Sequence, residues 1–90
     1  MAAAFVRHRV RDYDEWRKVY EAVQARADEF GIREEAVYRS ADDPNDVLVY
    51  HRFDSLDAAR SFFGAEELGA AMADAGVDTA TMRLEFYDEA

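Results

Sequence analysis

Phe5-Val6-Arg7-His8-Arg9-Val10-Arg11-Asp12-Tyr13-Asp14-Glu15-Trp16 changes its repeat at Asp12. Before Asp12 the residues alternate. Val6, His8 and Val10 fall on one side, and Phe5, Arg7, Arg9 and Arg11 on the other. A two-residue repeat belongs to a strand, whose side chains point to opposite faces in turn. After Asp12, the residues Trp16, Val19, Tyr20, Val23, Ala27 and Phe30 recur at helical spacing and form one apolar stripe. Asp12 has the short acceptor side chain that caps a helix, and Glu15 follows where a capping box places it. Gly31 suits the left-handed position just past a helix end. The spacing predicts a strand over 5–11 and a helix over 13–30.

The same reasoning carries to the C-terminus. Strands are predicted over 34–41 and 46–53. Asp42-Asp43-Pro44-Asn45-Asp46 between them is turn chemistry, so the two form a hairpin. Val47, Val49, His51 and Phe53 share one face of its second strand, with Leu48, Tyr50 and Arg52 on the other. Asp54-Ser55 opens a second helix carrying Leu56, Ala59, Phe62 and Phe63, and Gly64 interrupts it. Leu68, Ala71, Met72 and Ala75 mark a further helical segment, which Gly76 closes. A last strand over 79–87 places Ala80, Met82, Leu84 and Phe86 on one face. The order β-α-β-β-α-β implies an α+β fold. Its four-stranded antiparallel sheet carries helices on one face, with the first and third strands central neighbours.

Composition narrows the function classes. Ninety residues, 1–90, are expected to form a single domain with a modest core. The chain has no cysteine, which removes disulfides, thiolate metal sites and cysteine nucleophiles. A net charge of −9 opposes binding to nucleic acid and to anionic membranes. No apolar run approaches a membrane span, and Met1-Ala2-Ala3-Ala4-Phe5-Val6-Arg7 lacks the basic region followed by an apolar one that a signal peptide has, so none is expected. A cytoplasmic location is expected. The sheet face turned from the helices carries Phe5, Arg7, Arg9, Leu48, Tyr50, Arg52, Arg83, Glu85 and Tyr87. It is too aromatic for a simple wet face, and burial against a second copy is expected, giving a homodimer.

Three stretches resemble the dimeric α+β barrel superfamily, whose subunits have a ferredoxin-like fold. These are Val10-Arg11-Asp12-Tyr13-Asp14-Glu15-Trp16, Val37-Tyr38-Arg39-Ser40-Ala41-Asp42-Asp43-Pro44-Asn45 and Phe53-Asp54-Ser55-Leu56-Asp57-Ala58-Ala59-Arg60-Ser61-Phe62. The likeness is to small antibiotic-biosynthesis monooxygenase-type and polyketide-cyclase-type proteins. It implies sheet-to-sheet dimers, a ligand in the cleft between sheet and helices of each subunit, and chemistry that ranges from cofactor-free oxygenation to cyclisation, isomerisation and haem breakdown. Such motifs are structural, so the fold does not choose among these activities. Haem-degrading relatives use a helix-borne axial histidine, and no predicted helix here carries one.

Candidate chemistry rests on His8 and His51, the two histidines of the chain, both on the predicted helix-facing side. Histidine titrates near neutrality and serves as acid, base or ligand. With the two strands adjacent, the rings are expected to approach each other. No third ligand shares the face by spacing, so no metal is expected. Trp16, Tyr20, Phe63, Met72 and Phe86 are expected to line the same cleft as a surface for a flat hydrophobic small molecule. Tyr38 and Arg39 are further candidates whose direction the sequence leaves open. The paired acids Asp54 with Asp57 and Glu66 with Glu67 read as helix caps and dipole partners. No phosphate loop, dinucleotide fingerprint, nucleophile elbow or zinc motif is present.

The leading expectation is an enzyme that needs no cofactor, a monooxygenase or cyclase of aromatic or polyketide-like molecules with His8 and His51 moving protons. A non-catalytic ligand binder and a purely structural dimer stay open beside it. A cleft holding both imidazoles favours the enzyme, an apolar cavity without them the binder, and a solid core the structural dimer.

Overall fold

The computed structural model describes residues Met1–Ala90. In chain order its elements are β1 (Ala2–Val10), α1 (Tyr13–Gln24), α2 (Ala27–Phe30), β2 (Ile32–Arg39), β3 (Asp46–Phe53), α3 (Leu56–Phe63), α4 (Glu66–Asp74) and β4 (Val77–Asp88). The strands make one antiparallel sheet in the order β2-β3-β1-β4, with β1 and β3 central as the β-α-β-β-α-β order predicts. The helices cover one face, and the architecture is the ferredoxin-like α+β fold. No helix is long and apolar enough to cross a membrane.

Local chemistry explains the boundaries. Asp12 caps α1, its Oδ2 accepting from the Glu15 backbone N–H at 3.1 Å. Ser55 caps α3, its Oγ accepting from the Ala58 N–H at 3.1 Å. Asp54 instead pairs with Arg33 at 2.7 Å. Gly31 and Gly76 take positive φ, 77° and 75°, where a side chain is strained. The helix predicted over 13–30 is broken. Arg26 N–H bonds to Val23 C=O, a tighter i→i−3 turn, and α2 then swings Phe30 onto Phe62 at 5.0 Å.

Three strands differ from their predicted limits. β1 begins at Ala2, because Ala2 and Ala4 are buried and leave room for larger neighbours such as Phe53. β2 begins at Ile32, with Arg33 as the extra residue of a bulge, since Ile32 pairs with Phe53 and Glu34 with Arg52. β4 bulges more widely. Arg7 pairs with Arg83 and Arg9 with Asp78, so residues 79–82 loop out opposite His8. Thr81 Oγ1 closes this loop by accepting from Arg9 N–H at 3.0 Å and donating to Asp78 C=O at 2.7 Å. Ala80, expected on the inner face, is exposed there for that reason.

The core has two parts. Val6, Val10, Trp16, Tyr20, Val47, Val49 and Ala75 form one, and Ala4, Ile32, Phe53, Ala59 and Phe62 the other. Both lie between sheet and helices, and the candidate site lies at their junction.

Candidate functional site

Strand parity turns His8 and His51 toward the helices, and both are buried. They do not meet. His8 pairs across the ladder with Val47 and His51 with Ala4. This four-residue offset is roughly 13 Å at about 3.3 Å per residue. The expectation of adjacent imidazoles is therefore corrected, since the register sets the rings at opposite ends of one row. Helix α1 fills the interval. Trp16 and Tyr20, one turn apart, stack with centroids 4.9 Å apart. His8 meets the edge of Trp16 at 5.9 Å, and His51 stacks on Tyr20 at 5.9 Å. The result is a continuous row, His8–Trp16–Tyr20–His51.

Beside this row lies a cavity of about 60 Å³, partly open to solvent. Val6, His8, Val49 and His51 form its floor. Trp16 and Tyr20 stand on one side, Phe63 and Met72 on the other. Six of the seven predicted site residues thus line one space. Phe86 does not. It packs behind Phe63 at 5.8 Å, under the Arg60 guanidinium at 6.0 Å, and belongs to the surrounding core. Tyr38 points to the opposite sheet face and is exposed. Arg39 lies over the Tyr13 ring at 3.9 Å and donates to Pro44 C=O at 3.0 Å, away from the cavity.

A cavity of this size takes a few waters, whereas sites for drug-sized ligands run to roughly 300–1,000 Å³. A larger guest enters only if a wall moves. The wall with the fewest anchors is α4, which has no side-chain N-cap and no fully buried residue. It is tied to the α1–α2 turn by the Arg26–Glu67 ion pair.

One polar residue of the site escaped the sequence reading. Glu35 lies directly across the β2–β3 ladder from His51. The Tyr20 hydroxyl donates to Glu35 Oε2 at 2.8 Å and lies 3.2 Å from His51 Nε2. The local sequence carries no signal for it, since Glu34 and Ala36 give no apolar alternation. Counting back from Val37, which pairs with Val49, puts Glu35 on the inner face.

Electrostatics follow from burial. Desolvation lowers the His51 pKa to about 4, against the opposing pull of Glu35. His8 is lowered too, chiefly by burial and with partial opposition from Asp46. Tyr20 is raised by burial and by the Glu35 carboxylate, so it stays protonated. Both imidazoles are neutral at pH 7. The Nδ1 atoms of His8 and His51 are buried without a hydrogen-bond partner. A buried polar atom left unsatisfied costs about 1–3 kcal/mol.

Fold and cavity together define a ferredoxin-like α+β protein with an aromatic, imidazole-bearing cleft between sheet and helices. Residues 2–74 match the antibiotic biosynthesis monooxygenase family, and the chain belongs to it. No curated protein matches the chain. Among solved structures it is similar to SnoaB of Streptomyces nogalater, a cofactor-independent oxygenase. The TM-score there is 0.77 at 16% identity, over 99% of this chain and 93% of that one. It is also similar to the monooxygenase from the gene ActVA-Orf6 of Streptomyces coelicolor, in complex with nanaomycin D. That TM-score is 0.66 at 21% identity, over 99% and 87% of the two chains. A dimeric protein of unknown function and ferredoxin-like fold from Bacteroides fragilis aligns at a TM-score of 0.72 with 19% identity, over 98% and 95%. At these identities the likeness is one of fold.

Proposed function

We propose that this protein is a cofactor-independent monooxygenase that oxygenates an aromatic, polyketide-like small molecule in the cleft, with His51 as the proton acceptor. The observation that carries the proposal is a neutral imidazole on the wall of an apolar cavity, with one buried nitrogen free of any partner. Family membership and the oxygenases of like fold support the reaction class.

In such chemistry the substrate supplies the electrons. His51 takes a proton from an acidic ring methylene or phenol and leaves an enolate or phenolate. That anion reduces dioxygen by one electron, and the radical pair joins in a carbon–oxygen bond. For a methylene, the peroxide then loses water, so CH₂ and O₂ become C=O and H₂O. Trp16, Tyr20, Phe63 and Met72 supply the apolar walls, and His8 serves as a second proton-transfer group at the far end of the row. A polycyclic substrate displaces α4 to enter. We further propose that two chains associate through the sheet face that the helices leave open.

Oxygen uptake with a hydroxyanthrone, whose ring methylene is acidic, tests the reading. Wild type should consume one O₂ per quinone formed. His51→Ala should abolish turnover while the protein stays folded, and His8→Ala should reduce it to a similar or lesser degree. Full activity in the double variant sinks the assignment. One observation favours a non-catalytic binder instead: burial makes His51 a weak base in the closed cavity. Saturable binding of nanaomycin D with no oxygen uptake by any hydroxyanthrone would establish that reading.

A further inference from the structure

The Tyr20 hydroxyl has one hydrogen and two polar neighbours, Glu35 Oε2 at 2.8 Å and His51 Nε2 at 3.2 Å. A solvent-exposed carboxylate at neutral pH only accepts, and Glu35 is exposed on the edge strand β2. The hydrogen of Tyr20 therefore goes to Glu35. What Tyr20 turns toward His51 is an oxygen lone pair, which requires His51 to donate from Nε2. A neutral imidazole carries one N–H. Nδ1 is consequently the bare nitrogen, and it is the atom found buried without a partner.

We infer that Glu35 and Tyr20 are positioning residues for the proposed reaction: they hold His51 in its Nε2–H tautomer and leave the Nδ1 lone pair, covered until a substrate displaces α4, as the proton-accepting site. This rests on the reading of His51 as the base. The same arrangement answers the charge that forms. When Nδ1 takes a proton, the imidazolium donates to Tyr20, and Tyr20 to the Glu35 carboxylate. Negative charge thus lies two hydrogen bonds from the new positive charge. The charged groups facing this chain are Glu35 from β2 and Arg17 from α1, whose guanidinium lies over the Tyr20 ring at 5.2 Å. The bulge at Arg33 is part of the device. It lets both Ile32, opposite Phe53, and Glu35, opposite His51, turn inward although three positions separate them. An uninterrupted strand would turn one of the two to the other face.

The tautomer is read directly by the imidazole ¹⁵N shifts. Wild type should show His51 as Nε2–H. In Glu35→Ala the Tyr20 hydroxyl loses its acceptor and donates to Nε2 instead, so His51 should switch to Nδ1–H. Glu35→Gln keeps an acceptor oxygen and should restore Nε2–H without the charge. In oxygen uptake with a hydroxyanthrone, Glu35→Ala should lower kcat by about tenfold or more with little change in KM, and Glu35→Gln should recover part of it. Both variants should move the acid limb of kcat/KM to lower pH, because the carboxylate raises the proton affinity of His51. An Nδ1–H tautomer in wild type, or an unchanged tautomer in Glu35→Ala, overturns the inference. The two readings fail separately. If the tautomer switches but His51→Ala still consumes oxygen, the base assignment falls. If His51→Ala is inactive but the tautomer never moves, the positioning role falls.

Discussion

At the scale of single residues, the imidazoles tie stability to pH. The folded His51 pKa is about 4, against 6.5 for the free side chain. Between those values the unfolded chain binds more protons than the folded one. The contribution of a neutral buried His51 is therefore fully present above pH 6.5 and is lost as pH falls toward 4. For His51 the loss is about 3 kcal/mol, and His8 adds to it with the same sign. Urea unfolding of wild type and His51→Gln at pH 7, 5 and 4 should show a shallower acid loss in the variant. Parallel losses would mean that other groups drive acid unfolding. The inward direction of both histidines was legible in their alternation with Val6, Val10, Val47 and Val49. Their separation was not, because register depends on pairing rather than on either strand alone. Glu35 was missed for a related reason. Its neighbours Glu34 and Ala36 give no apolar alternation, and only the pairing of Val37 with Val49 shows which side it takes.

At the scale of elements, the capping chemistry makes quantitative expectations. Asp12→Ala removes the acceptor for the Glu15 N–H and should cost about 1 kcal/mol. The two positive-φ glycines should respond differently. A Cβ at Gly31 meets only Ala58 Cβ at 3.8 Å, so Gly31→Ala should cost about 1 kcal/mol of backbone strain alone. At Gly76 a Cβ would lie 3.0 Å from Arg11 Cβ and 3.1 Å from its guanidinium carbon, so Gly76→Ala should cost more. Chemical denaturation of the three variants checks the order. Equal melting of Gly31→Ala and Gly76→Ala would show that Arg11 simply moves aside. Element identities were readable because the repeat changes sharply at Asp12, Asp54 and Gly76. The breaks inside elements were not. The turn at Arg26 and the bulges at Arg33 and residues 79–82 each answer to packing against another element.

At the scale of the whole molecule, the open sheet face sets the expectation. Phe5 lies against Tyr50 at 5.3 Å and Tyr87 at 5.7 Å. Tyr38 and Tyr87 are 60% and 50% exposed on the same side. Arg52 bridges Glu34 and Glu89 around this cluster. An aromatic centre within a charged rim fits an isologous contact, in which each patch meets its own copy. Sedimentation equilibrium should give twice the 10.3 kDa chain mass. Tyr50→Asp should bury an unpaired charge, weaken association by a few kcal/mol and yield monomer. A monomeric wild type at micromolar concentration would refute the dimer.

Sequence alone determined the order of elements, the inner and outer faces of β1 and β3, and the burial of both histidines. Those properties follow from local periodicity, which a chain carries whether or not it is folded. Tertiary structure alone decided the four-position offset between His8 and His51, the retreat of Phe86 behind Phe63 and the small size of the cavity. It also decided the Glu35–Tyr20–His51 chain. Each of these depends on which residue of one element lies opposite which residue of another. A bulge of one residue at Arg33 changes that correspondence without leaving a mark in the local repeat.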